Sequence, residues 1–313
     1  MGESAVGAVF LEDILQLVQI ARKEDGGWKL EKFVQEKFPH KFRLLTLSDD
    51  ARFGDLKEMV QGVLGRDSWA ENTSVAIDHE LLFVKETSVD PGLPEDEKKK
   101  QILWESQQFL PENLSGDYKV SFAGINADDT FVVLVLFRKL VLERIQQILQ
   151  GAGKTFGFMD VDTFSAMTAI EKLFDPKGRL VGLADVRKKA VQLTFLKDGN
   201  YFRSREVKFA DSEEDVFESD QNLANLLNKE INRLLLDAEI HESDSPVSQL
   251  YVFGERAASE LVSALEGGPS LEVKLADPFK SIKIEEDLQS AVDKIENPAN
   301  WLIGFGAALQ LLG

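Results

Sequence analysis

Motifs that would bind phosphate, hold a metal or move a proton are sparse in this chain. The string Gly151-Ala152-Gly153-Lys154-Thr155 has the glycines, lysine and hydroxyl of a phosphate-binding loop. Such a loop also needs a glycine five positions before Gly153 and a strand leading into it. Ile148 stands at that position, and the preceding stretch reads as a helix. Gly151 and Gly153 therefore read as a helix C-terminal cap ahead of the strand TFGFMDV. Asp160 and Asp162, two apart on that predicted strand, share a face and would suit acid–base work. No second partner is in view, so solvation at a strand end is the simpler role. The three histidines, His40, His79 and His241, lie far apart without metal-ligand spacing and are expected on the surface or in loops. Cysteine is absent, which excludes disulfides, thiolate nucleophiles, iron–sulfur clusters and zinc ribbons. No GxSxG elbow, HExxH pair or EF-hand loop occurs. The motifs thus supply no catalytic group and no metal ligand.

The elements that would position a site are better defined. A chain of 313 residues has room for about two domains, and 43% hydrophobic with 29% charged residues is a globular composition. Thirty-six basic against 54 acidic residues give a net charge of −18, which repels phosphate backbones and anionic lipid, so nucleic acid is not an expected partner. The start lacks a basic stretch and breaks its apolar run at Glu12 and Asp13. The longest apolar runs, Phe131 to Phe137 and WLIGFGAALQLLG, are shorter than the ~18 residues that a spanning helix needs. A cytoplasmic protein is expected, with no direct membrane insertion and any membrane association supplied by a partner.

A local grammar occurs twice. VGAVFL, LQLVQIARK, the turn at Asp25-Gly26 and WKLEKFVQEKF read as strand, strand, tight turn and strand. RLVGLADV, AVQLTFLK, the turn at Asp198-Gly199 and NYFRSREVKFA repeat it half a chain later. Each copy precedes a helix, Phe53 to Leu64 and Asp220 to Ala238, the second with an apolar stripe at Leu223, Leu226, Leu227, Ile231, Leu234 and Leu235. Between the copies TSVAIDHELLFVKETSV reads as two strands. Pro94 then opens a helix with an acidic first turn that stops before Pro111, and YKVSFAGIN with TFVVLVLFR forms a hairpin ahead of a helix from Val141 to Gln150. DPGLPEDEKKK and DSEEDVFESD read as solvated loops or helix starts.

This arrangement, with KKKQILWESQQFLPENL, VVLVLFRKLVLERIQQILQGAGKTFGFMDVDTFSAMTAIE and LADPFKSIKI followed by WLIGFGAALQLL, resembles the type IV pilus assembly protein PilM family over essentially the whole chain. That family is related to FtsA and to the cytoplasmic domain of GspL. The resemblance implies an α/β, actin-like (ribonuclease H-like) duplicated fold of two lobes with an inserted α/β subdomain in the first. Residues 1–73 and 153–178 would form the first lobe, 74–152 the insert and 179–313 the second lobe. It also implies a cytosolic protein peripheral to the inner membrane, an interlobe ATP site, and a partner, a PilN-like inner-membrane protein held by its N-terminal cytoplasmic tail.

At the nucleotide motifs the sequence departs from the family. The first phosphate loop, roughly DIGSSSVK, lies over Val9 to Gln16, where Glu12 and Asp13 place anions beside the phosphate positions. In the second copy DIG becomes Asp185, Val186 and Arg187, and the adenosine Gly-Gly pair keeps only Gly254. Asp185, Arg187 and Gly254 would be the remnant of the nucleotide cleft, with Arg187 and Lys188 able to hold an anion by charge. The expectation is a pseudo-ATPase without catalytic residue or bound cofactor, a scaffold that holds peptides; the alternative is an active ATPase with altered loops. Partner contacts are expected at the extended segment Ser74, Val75, Ala76 and Ile77, and at Trp104 and Phe109, five apart on the insert helix.

Overall fold

The computed structural model describes residues 3–66, 68–110, 115–124, 131–176, 180–209, 219–237, 247–266 and 271–313. His241 and most of DSEEDVFESD lie outside the described residues.

The repeated grammar folds into two sheets of the same order. In the first, β1 (Ser4–Phe10), β2 (Ile14–Arg22) and β3 (Trp28–Lys37) form an antiparallel meander. β4 (Asn72–Ile77) and β8 (Thr155–Val161) then add in parallel, giving β3-β2-β1-β4-β8. In the second, β9 (Leu180–Val186), β10 (Ala190–Lys197) and β11 (Asn200–Lys208) repeat the meander. β12 (Gln249–Phe253) and β13 (Glu272–Leu275) complete β11-β10-β9-β12-β13. The tight turns need positive φ, and Gly26, Asp198 and Gly199 supply it at 82°, 51° and 81°.

β1 reads as almost continuously apolar because both of its faces are covered. Val6, Ala8 and Phe10 pack with Phe53, Leu56 and Val60 of α2 (Asp50–Arg66), which follows the short α1 (Leu44–Ser48). Ala5 and Val9, on the other face, meet α9 (Leu302–Leu311). Near the C-terminus the chain thus returns to the first sheet, across β1, β2 and β4, so residues 302–311 belong with the first lobe rather than the second. α5 (Asp162–Phe174) packs between, its Ala166, Ala169 and Ile170 joining the second lobe's core beside α6 (Asp220–Asp237) and α7 (Ser259–Leu265). The short α8 (Glu286–Val292) precedes α9.

The insert is a three-stranded antiparallel sheet, β5-β7-β6, made of β5 (Leu82–Ser88), β6 (Tyr118–Gly124) and β7 (Phe131–Arg138). On it lies α3 (Glu95–Gln108), which buries Ile102 with Val132, Leu134 and Leu136. α4 (Lys139–Gly151) leads back, burying Val141, Ile145 and Ile148 in the first lobe's core. It ends at Gly151, and Gly153 turns at φ +66° into β8, so GAGKT is a helix exit. The insert does not begin at Ser74, because β4 lies inside the first sheet, hydrogen-bonded to β1 and β8. The insert starts after it. Among the described residues no helix is long and apolar enough to cross a membrane.

Candidate functional site: an ion cluster between the lobes

The site stands at the carboxyl ends of parallel strands, where open α/β sheets place their clefts. β4 runs out at Ile77, and Asp78 accepts the Glu80 N–H at 2.9 Å, a cap that winds His79–Leu81 into one 3₁₀ turn and fixes His79. β8 runs out at Val161, and Asp162 opens α5. In the second lobe the cross-strand register sets Asp185, Gln192 and Glu206 side by side on β9, β10 and β11. Arg187 follows β9, its N–H bonded to Ala190 O at 2.9 Å.

Arg187 meets three carboxylates. Nε donates to Asp185 Oδ2 at 2.7 Å and Nη1 to Asp78 Oδ2 at 2.9 Å, while Nη2 donates to Asp162 Oδ2. His79 bridges onward, Nδ1 to Asp162 Oδ2 at 2.9 Å and Nε2 to Glu206 Oε1 at 3.0 Å. Asp78, His79 and Asp162 come from the first-lobe side, so the network ties both lobes together. Lys208 adds an outer link to Glu80 at 2.9 Å.

The electrostatics are mutual. Burial disfavours the His79 cation, but the Asp162 charge and the hydrogen bonds to Asp162 and Glu206 push it up to about 10. Burial would raise Asp162, and His79 with Arg187 hold it well below the usual carboxylate range. Burial likewise opposes the Arg187 charge, and Asp185, Asp162 and Asp78 raise its pKa further. Asp185 is pushed upward by burial despite Arg187. Asp78, His79 and Asp162 offer ligand atoms within 4.8 Å of one another, a spacing that could hold a metal ion. A protonated imidazole has no lone pair to give, and both carboxylates already accept from Arg187. The arrangement is a set of carboxylates with its cations built in.

A pH dependence follows. The folded pKa of His79, about 10, lies above the ordinary 6.5, so its contribution to stability is complete below pH 6.5 and is lost as pH rises through about 10. Denaturation midpoints are expected to fall over that range in the wild type, and a flatter alkaline limb is expected for His79→Gln. The same slope in both proteins would refute the assignment.

The structure brings Asp185, Arg187 and Gly254 together. Gly254 has φ +101°, and a Cβ there would overlap Asp185 Oδ1, so close packing on β9 itself demands glycine. Other expectations need correction. Ser74, Val75, Ala76 and Ile77 are fully buried in a central strand with both edges paired, so no partner reaches them. Trp104 and Phe109 need no such correction: they are 58% and 37% exposed and remain open to a partner, with Lys85 Nζ 5.5 Å from the Phe109 ring centroid. Asp160 and Asp162 do not act as a pair. Asp160 is buried elsewhere, accepting from Ser165 Oγ at 3.1 Å and from Gln310 Nε2, and burial pushes it up to about 6. His79 is mostly enclosed, its side chain 12% exposed, rather than superficial. Asp78 and Glu206 escaped the sequence reading, and Asp162 and His79 were weighed there in other roles; the available signal was their position just beyond, or in register with, apolar strands.

Cavities flank the cluster on two sides. A cleft of about 290 Å³ is lined by Glu12, Asp13, Asp185, Arg187, Lys188 and Glu255. On the other side a groove of about 360 Å³ runs between β5 and β11, with Leu82, Val84, Phe164, Tyr201 and Glu206 in its walls. A second cavity of about 420 Å³ shares Val84, Tyr201 and Ser204 and extends the groove past Glu86 and Arg203.

The chain is similar in structure to the PilM of a "PilM-PilN type IV pilus biogenesis complex", with a TM-score of 0.72 at 16% identity over 99% of this chain and 98% of that one. It is also similar to the cytoplasmic domain of EpsL, an inner-membrane component of the type II secretion system of Vibrio cholerae, with a TM-score of 0.52 at 11% identity over 99% and 96%. Identities this low carry the fold, which is actin-like. The sequence profile of the family described as type IV pilus assembly protein PilM matches residues 12–218. With the profile covering most of the chain and both lobes and the insert in place, this protein belongs to the PilM family of type IV pilus assembly proteins.

Proposed function

We propose that this protein is a non-catalytic, cytoplasmic scaffold of a type IV pilus or related secretion machine. It binds the N-terminal cytoplasmic tail of a PilN-like inner-membrane protein, and its cleft does not serve as an ATP site. The observation that carries this reading is the Arg187 guanidinium lying across Asp78, Asp162 and Asp185. In actin-like ATPases a nucleotide with its magnesium bridges the lobes, and here a tethered cation already links those carboxylates. The residues present do not fit MgATP. The turn between β1 and β2 presents Glu12 and Asp13 to the cleft, and Glu255 adds a further anion. Lys41, Lys188 and Lys189 also line the cleft, but Lys41 and Arg43 are paired with Glu12 and Lys188 with Glu255, so a triphosphate would have to break these pairs and would find carboxylates where it needs backbone amides.

The groove beside β5 suits the tail. β5 and β11 are end strands of their sheets, and an extended peptide can add main-chain hydrogen bonds to such an edge. A synthetic peptide carrying the cytoplasmic segment of the organism's PilN-like protein is expected to bind with equal affinity with and without MgATP and to slow hydrogen exchange over Leu82–Ser88. Binding only with MgATP, or protection confined to the surroundings of Asp185 and Gly254, would overturn the proposal.

A further inference from the structure

The groove and the cleft share one wall. His79 and Glu206 line the groove, Asp185 and Arg187 line the cleft, and Asp162 Oδ2 accepts from both His79 and Arg187. The groove also has walls from every part of the molecule: β5 from the insert, Val161, Thr163 and Phe164 from the first lobe, and β11 from the second. Tyr201 OH reaches Glu86 Oε1 at 3.0 Å across it, and Arg203 pairs with the same carboxylate. An occupant seated there touches both lobes, so its affinity depends on their spacing. The chain Arg187–Asp162–His79–Glu206 helps to hold that spacing.

We propose that occupancy of the groove and closure of the lobes are coupled through this chain, so that an extended segment is gripped by β11 of the second lobe as well as by the insert. The inference rests on the tail-binding reading above. The chemistry of the occupant follows from the walls. Leu82, Val84, Val161 and Phe164 accept an apolar side chain. The Gln192 amide oxygen, buried without a hydrogen-bond partner among the described residues, takes a peptide N–H. The segment is therefore an extended peptide with an apolar anchor and free main-chain donors, and coupling between two such sites must be reciprocal.

Two measurements with the labelled tail peptide test this. Arg187 does not line the groove, yet Arg187→Met is expected to weaken peptide binding about fivefold or more, with Arg187→Lys between it and the wild type. Reciprocally, the peptide is expected to slow hydrogen exchange in the wild type at 185–187 and 253–256, on the cleft side; this measurement stands even if the variant does not fold. Unchanged affinity in Arg187→Met, or unaltered exchange on the cleft side where the variant cannot be made, with tight wild-type binding, would overturn the coupling and leave the tail reading intact. No binding to the wild type would overturn both.

Discussion

Arg187→Met is expected to lower the free energy of unfolding by about 3–5 kcal/mol, the cost of removing one partner from a buried ionic network. The substitution keeps most of the side-chain volume, so the loss is electrostatic. Asp78, Asp162 and Asp185 would share only His79, and Asp185, already pushed upward by burial, would be the first to take a proton. The deficit should therefore shrink as pH falls, because protonation relieves uncompensated buried charge. For a domain held by about 5–15 kcal/mol the effect would be visible in a single urea titration. A loss below about 1 kcal/mol would mean that the cluster is hydrated and contributes little.

Gly306→Ala is the second large effect. In an exposed helix interior alanine gains about 1 kcal/mol over glycine. On α9 that gain is overwhelmed, because a Cβ at Gly306 would overlap the Ser165 carbonyl of α5 and press on Ala169 Cβ at 3.3 Å. Both obstacles belong to packed helix surfaces and cannot swing away as a flexible side chain could. A destabilisation of about 3 kcal/mol is expected, at the upper end for overpacking. Gly54→Ala on α2, with nothing within 4 Å of its Cβ position, is the matched control and should be neutral or stabilising. Equal effects at the two positions would show that α9 does not approach α5 this closely.

Both meanders were legible because their information is local: period-two apolar positions and an Asp-Gly turn define β2-β3 and β10-β11 within about 25 residues each. The acidic start of α3 and the glycine exit of α4 are legible for the same reason. Non-local partners were hidden. TSVAI is apolar and β-branched wherever it goes, and nothing in it says that β4 inserts between β1 and β8 rather than joining the insert. WLIGFGAALQLL reads only as an apolar run, and the strand it packs on, β1, lies at the other end of the chain. The site shows the same division. Arg187 stood out as a long cation at a glycine position, whereas its acceptors Asp78 and Asp162 lie 109 and 25 residues away. His79 read as a surface or loop residue, because its role depends on Asp162 and Glu206, 83 and 127 residues distant.

In the proposed scaffold a tethered cation, and not a nucleotide, links the carboxylates of the interlobe cleft. The most direct test is the melting temperature of the wild-type protein titrated with MgATP into the millimolar range. Ligand stabilisation follows RT ln(1 + [L]/Kd), so a cleft whose carboxylates are already paired with Arg187 is expected to give no shift over that range. A reproducible, saturable rise of several degrees would mean that the cleft takes nucleotide and would make the protein a nucleotide-binding member of its family.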